Sequence, residues 1–345
     1  MKKYYEIYEK IKKEILTGVY NAGQKLPSKR VMADLSGCSE ITVMTAYEML
    51  ESEGYISAKE RSGYFVMEID GFLSTNKPST QIQTLEEPKV DSSEQFEYSL
   101  WLKTIRKVIS ERDKELFIKA PTEGCEVLRN SISKYLARYR GMIASPKNII
   151  IGSGSEQLYE LAVKLLGKDK VFGIENPCYE QIEKVYEQAG VKTLKLKMAS
   201  DGIDSDSLNA NFSVLHVTPF NSYPSGVTAS IKKRYEYLKW AKDDKFIIED
   251  DFASEFFMRG NPIESLYSLD DSKKVIYINT FSKSLSKSMR IGYMIIPDSL
   301  IHIYKEKMKG FSCSVPVLDQ YVLSEFINNG SFERHLNRIR RLKKQ

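Results

Sequence analysis

VIYINTFSKSLSKSMRIGY, residues 275–293, decides the fold of this chain. Residues 275–278 are an unbroken apolar run rich in β-branched side chains, the pattern of a strand buried on both faces. Asn279 and Thr280 end the run, a polar turn carries Ser282 and Lys283, and a second apolar run starts at Ile291. Working outward, similar runs occur at 149–151, 171–174, 193–196, 214–217 and 246–248, with helical spacing between them. Alternation of this kind predicts an α/β domain with a mostly parallel, seven-stranded sheet and flanking helices. An open sheet of that class forms its ligand crevice at the carboxyl ends of its strands, so the residues after each run are the candidates for chemistry.

Four such segments stand out. Gly152–Ser153–Gly154–Ser155–Glu156 follows the first run and opens a helix whose free N–H groups and dipole suit a phosphate, although Gly/Ser turns are common. Glu249, Asp250 and Asp251 follow the run at 246–248; one of them can neutralise a protonated pyridine nitrogen, and their plainer role is capping a helix. A lysine desolvated beside cationic neighbours loses pKa and can form a Schiff base; Lys283 can take that role, with Ser282 and Arg290 available to hold a phosphate, although a lone lysine is more often a solvated surface residue. Tyr179 can stack on a flat ring, and equally can fill a core.

Residues 4–17 place Tyr4, Ile7, Tyr8, Ile11 and Ile15 on one helical face, which Gly18 stops. A short helix opens at Pro27 and Ser28, and a third is capped by Ser39 and stopped by Gly54. Two β-prone segments, 55–58 and 64–67, follow with Gly63 between them. Three helices and a hairpin predict a winged helix. Ser39 and Thr42 at the start of the third helix can reach base edges or phosphates, while Ser28, Arg30, Lys59 and Arg61 offer backbone contacts and Gly63 permits close approach of the wing. Residues 1–70 hold 10 Lys+Arg against 11 Asp+Glu, so charge does not separate this reading from a small helical cap. From about 70 to 93 the pattern fades into Ser, Thr, Gln, Pro and Glu, which predicts a linker between domains 1–69 and 94–345.

The 345 residues, 42% of them apolar, suffice for two cores. No apolar run long enough for a membrane span and no apolar leader is present, so a cytoplasmic protein without a membrane partner is expected. Cys38, Cys125, Cys178 and Cys313 lie far apart without metal-ligand spacing, which argues for reduced thiols and no metal site. A net charge of +5 neither demands nor excludes a nucleic-acid partner.

The stretch LPSKRVMADLSGCSEITVMTAYEMLESEGYISAKERSGYFV resembles the DNA-binding domain of GntR-type regulators, and GCEVLRNSISKYLARYRG, ENPCY, TPFNSYPSG, FIIEDDFASEF and VIYINTFSKSLSKSMRIGY resemble fold-type I aminotransferases. The order winged helix, linker, aminotransferase domain resembles the MocR/PdxR subgroup of GntR-type regulators over nearly the whole chain. That resemblance implies pyridoxal 5′-phosphate as cofactor, with Lys283 as the Schiff-base lysine, Asp250 on the pyridinium nitrogen and Tyr179 stacked on the ring. It further implies Ser155, Glu156, Ser282 and Arg290 around the phosphate, with Thr280 grouped among the cofactor residues. Double-stranded promoter DNA, a small amine or amino-acid effector and a homodimer are the implied partners.

The chain departs from the subgroup at four places. Phe252 replaces a tyrosine that bonds the cofactor hydroxyl, a contact worth ~0.5–1.5 kcal/mol. Gln181 replaces an effector-gripping Arg, and Glu40 stands where an Arg follows the capping Ser. The sequence ends at HLNRIRRLKKQ, where relatives continue into a small domain bearing a second carboxylate-binding Arg. A natural truncation or split-gene product whose exposed apolar flank meets a partner or a second copy is the expectation. Binding without turnover is favoured, the alternative being an aminotransferase carrying a DNA-binding module. The basic residues Arg334, Arg338, Arg340, Arg341, Lys343 and Lys344 read as a solvated helix face rather than a nucleic-acid patch.

Overall fold

The computed structural model describes residues 3–16, 18–59, 62–67, 98–251, 254–256, 264–286 and 288–342. The expected linker at 70–93, Arg61, Phe252 and the lysines at 343 and 344 lie outside them. The N-terminal unit consists of α1 (Lys3–Leu16), α2 (Lys29–Ser36), α3 (Glu40–Ser52) and an antiparallel ribbon of β1 (Ile56–Lys59) and β2 (Gly63–Val66). Ile7, Tyr8, Ile11 and Ile15 bury against Val43, Ala46, Tyr47 and Leu50 of α3, each such side chain contributing ~1.5–3 kcal/mol. Ser28 caps α2 by accepting the Val31 N–H at 3.3 Å, and Gly37, at φ 56, ends that helix in the left-handed conformation.

The second unit runs α4 (Tyr98–Arg112), α5 (Glu126–Tyr135), β3 (Ile149–Gly152), α6 (Ser155–Leu166), β4 (Phe172–Asn176), α7 (Glu180–Gln188), β5 (Thr193–Ala199) and β6 (Gly202–Ile203). It continues with β7 (Val214–Val217), α8 (Ile231–Trp240), β8 (Phe246–Asp250), α9 (Leu266–Leu269), β9 (Val275–Thr280), β10 (Gly292–Ile295), α10 (Asp298–Lys307), α11 (Val317–Asn328) and α12 (Ser331–Leu342). One eight-stranded sheet has the order β3-β10-β9-β8-β7-β4-β5-β6. The five strands from β9 to β5 are mutually parallel, β10 is antiparallel to both its neighbours, and β6 is antiparallel to β5. All seven expected strands are present. The eighth, β6, is a two-residue extension too short to leave a periodic pattern. The connection 281–291 is shorter than the dozen or so residues a parallel crossover needs, so β10 returns antiparallel.

Alternation along the strands separates two apolar layers. Ile248, Ile276, Ile278 and Met294 face α6, α7 and α10. Ile149, Ile151, Tyr277 and Tyr293 face α5, α11 and α12, and Leu215, Ile247 and Val275 lie on the α8 side. Among the described residues no helix is long and apolar enough to cross a membrane.

Candidate functional site

At the N-terminal unit, Ser39 accepts the Thr42 N–H at 3.3 Å and its hydroxyl lies 2.9 Å from the Thr42 hydroxyl, so the two polar side chains form one exposed knob at the start of α3. Ser28, Arg30 and Lys59 are exposed, and Glu40 occupies the first turn of α3 in solvent. Lys59 lies over the Phe65 ring at 4.7 Å from its centroid, which holds its ammonium on the wing. Gly63 has φ 110, and a Cβ there would stand 3.1 Å from Lys25 Cε. The tight wing turn therefore needs glycine. The three-helix core is built so that this face carries no packing duty.

In the second unit, β8 ends at Asp250, only 4% exposed and opposite Ile278 of β9 in register. Of the three consecutive acids, Asp250 alone projects to the α6 face. Tyr159 of α6 donates its hydroxyl to Asp250 Oδ2. His216 of β7 places Nε2 3.8 Å from the same oxygen and Nδ1 2.6 Å from the Tyr186 hydroxyl. Burial pushes the Tyr186 phenol well up, so it stays protonated in this contact. The His216 Nε2 has no hydrogen-bond partner among the described residues. One hydrogen-bond donor, Tyr159, and one imidazole thus stand beside this carboxylate.

The neighbouring acids are engaged elsewhere. Asp251 on the opposite face accepts from the buried Arg140 guanidinium and, at 2.8 Å, from the Tyr277 hydroxyl. Glu249 accepts the N–H groups of Leu266 and Tyr267, each at 2.8 Å; burial, then the charge of Asp251, pushes its carboxyl up to about 7. Glu175 near the end of β4 accepts from the Ser222 hydroxyl at 2.6 Å and the Thr218 N–H at 3.2 Å, and burial pushes it up to about 8.

Thr280 ends β9 and is buried, and Lys283 sits half-buried in the turn beyond it. Ser282 donates its hydroxyl to the Met289 carbonyl at 3.0 Å, which draws the turn closed toward Arg290. Arg290 pairs with the Glu156 carboxylate on the first turn of α6, beside Ser155. Gly154, at φ 91, precedes that helix; a Cβ there would stand 2.6 Å from Arg290 Nη2. No side chain caps α6, so the N–H groups of its first turn, its dipole and Arg290 make a cradle for an anion. Tyr179 stands immediately before α7, its ring edge-on to Tyr223 with centroids 6.1 Å apart. These groups fit a flat aromatic phosphate: a glycine cradle beside a guanidinium, and a buried acid bonded by a tyrosine and flanked by a histidine. Tyr159, His216 and Tyr186 were not legible as site residues, because each lies inside an apolar periodic run and reads as core.

Residues 88–345 match the family described as aminotransferase class I and II, and residues 3–66 match the bacterial regulatory proteins of the gntR family. The HTH-type transcriptional regulator YdeL of Bacillus subtilis is 35% identical over 98% of this chain and 76% of its own length. This chain belongs to the GntR family of transcriptional regulators, in its MocR/PdxR-type branch. The regulator is 28% identical to the probable rhizopine catabolism regulatory protein MocR of Rhizobium meliloti, covering 98% of this chain and 74% of that one. It is 25% identical to the pyridoxine biosynthesis regulator PdxR of Corynebacterium glutamicum, covering 98% and 75%. Among solved structures, an archaeal alanine:glyoxylate aminotransferase is similar at TM-score 0.66 and 26% identity, covering 74% of the regulator and 66% of that chain. A Pyrococcus horikoshii kynurenine aminotransferase gives TM-score 0.64 at 25% identity, covering 72% and 64%. The regulator therefore spans about three quarters of the length of its curated relatives and just under two thirds of these aminotransferases.

Proposed function

We propose that this regulator binds promoter DNA through residues 1–69 and pyridoxal 5′-phosphate through its aminotransferase-like domain, 94–345, acting in the cytoplasm as a homodimer that responds to a small amine or amino acid. The observation that carries the cofactor half is Asp250, buried at the end of β8, hydrogen-bonded by Tyr159 and flanked by His216. A carboxylate at that place can pair with a pyridinium nitrogen. In this reading Arg290 and the first turn of α6 bind the phosphate, Ser155, Glu156, Ser282 and Thr280 border it, and Tyr179 covers the ring. The cofactor, when bound, supplies an electrophilic aldehyde to which the Lys283 amine can be joined covalently. Arg30, Lys59, Arg61 and Ser28 position the DNA backbone, Ser39 and Thr42 approach the bases, and Gly63 lets the wing come close.

Reconstitution with pyridoxal phosphate gives a visible absorbance band in the wild type and none in Lys283→Ala. A colourless wild type rejects the cofactor half. A gel shift on the DNA beside the regulator's own gene tests the other half; binding unaltered in Arg30→Ala and Thr42→Ala rejects the proposed surface. Likeness to an alanine:glyoxylate aminotransferase favours one further reading, turnover, and amino-group transfer to a keto acid at a useful rate would establish it.

A further inference from the structure

Phe332, His335, Leu336 and Ile339 recur along α12 at helical spacing and are all buried, so they form its inner face. The three apolar members lie in the same layer as Phe281 and Leu285, which stand two residues to either side of Lys283. That packing seats α12 against the Lys283 turn. His335, 3% exposed, places Nε2 2.8 Å from the carbonyl oxygen of Ser284. A carbonyl only accepts, so Nε2 carries the proton and donates it. Farther along the helix, Arg340 donates Nε to the Glu255 carbonyl at 2.7 Å, which holds α12 in place independently of the histidine.

Both chain neighbours of Lys283 are fixed. Ser282 is tied through its hydroxyl to the Met289 carbonyl, and Ser284, fully buried, is tied through its carbonyl to His335. Around them the Phe281 N–H donates to the Ile291 carbonyl and the Leu285 N–H to the Phe281 carbonyl, each at 2.8 Å. A buried carbonyl stripped of its donor is costly, so without His335 the turn would re-form to find another partner. Lys283 sits inside that turn. An amine that must come within about 3–3.5 Å of a reacting carbon gains from a backbone that does not move.

We propose that His335 is a positioning residue for Lys283: its Nε2–H, acting through the Ser284 carbonyl, fixes the backbone from which the amine reaches the cofactor aldehyde. The aldehyde's part rests on the cofactor reading above; the fixing of Lys283 stands on the hydrogen bond itself. Arg290 and the first turn of α6 are joined by their own pair with Glu156. Loss of His335 therefore acts on covalent capture and spares the binding of ring and phosphate.

Two ligands separate the roles on the full chain. Pyridoxal 5′-phosphate is followed by visible absorbance; 4′-deoxypyridoxine 5′-phosphate, which keeps ring and phosphate and lacks the aldehyde, is followed by equilibrium dialysis. His335→Leu removes the donor, and His335→Gln keeps an N–H at similar reach. Positioning requires His335→Leu to weaken pyridoxal phosphate about tenfold and the analogue by less than about twofold, with His335→Gln within about twofold of wild type for both. Equal weakening of the two ligands, an unweakened aldehyde in His335→Leu, or a His335→Gln variant as weak as His335→Leu overturns it. Should circular dichroism show His335→Leu unfolded, His335→Asn, one carbon too short to reach, takes its place. A wild type that binds neither ligand rejects the cofactor reading and the aldehyde's part with it. Acetylation of the full chain by acetic anhydride, mapped by mass spectrometry, then still decides the fixing of the turn. Lys283 must react about threefold faster in His335→Leu than in wild type while Lys59 keeps its rate, and equal rates at Lys283 overturn the proposal.

Discussion

Asp250 depends on its neighbours more than on its own position. Tyr159→Phe removes one donor from a buried carboxylate, which costs ~1–3 kcal/mol, read as a lowered urea midpoint, and weakens pyridoxal phosphate binding in a spectrophotometric titration. Wild-type stability without that loss would remove Tyr159 from the site. Glu175 supplies a pH test. Its folded carboxyl titrates near 8, above the ordinary 4.5, so folding takes up a proton between those values. Its contribution is therefore full below pH 4.5 and lost as pH rises through about 8. Glu53, Glu249 and Glu255 are pushed up to about 7 by burial and give the same sign over a lower window. Unfolding midpoints should accordingly fall from pH 5 to 8, and Glu175→Gln should flatten the stretch between 7 and 8. At this scale the sequence was half legible. Asp250, Lys283 and Arg290 could be picked out as candidates from their places after apolar runs, whereas the contacts of Tyr159 and His216 with Asp250 come from a fold that brings α6 and β7 against β8, which no local pattern records.

The third helix is a cap, a polar knob and an acid in one turn. Glu40 benefits from the helix N-terminus, whereas in the proposed DNA complex its charge would repel phosphate, and the two effects oppose each other. Glu40→Gln should tighten DNA binding several-fold at low salt and change the salt dependence of the affinity, measured by fluorescence anisotropy across a salt series; unchanged affinity would place α3 away from the DNA. Elements were read from sequence where they were buried on both sides. Strands β3, β7, β8, β9 and β10 are continuous apolar runs because helices cover both their faces, and a run of that kind has no competing helical period. Strand direction was not in the pattern, since periodicity is blind to it, and β10 reverses for reasons of connection length alone.

Over the whole molecule, exposed apolar side chains mark what this chain leaves for another. Phe117 and Ile118 are 91% and 65% exposed, and the segment that follows them is joined through Thr122 to the carbonyl of Phe311, itself 61% exposed. We propose that these exposed apolar side chains meet a second copy. Phe117→Asp with Phe311→Asp should shift sedimentation from dimer to monomer; a wild type that sediments as monomer would refute the dimer outright. Contacts between the two units were not legible in the sequence, because Lys12 and Glu53 look like any solvated helix residues until the sheet domain covers them. That junction has a consequence for control. The winged helix rests on its partner domain through α1 and the end of α3, while Ser39, Thr42, Arg30 and Lys59 look outward. Resting and reading do not compete for the same surface. Under the proposed function, such an architecture would act by aim rather than by shielding: gel shifts with and without pyridoxal phosphate should then give the same affinity on a single half-operator and a different one on paired half-operators at a fixed separation.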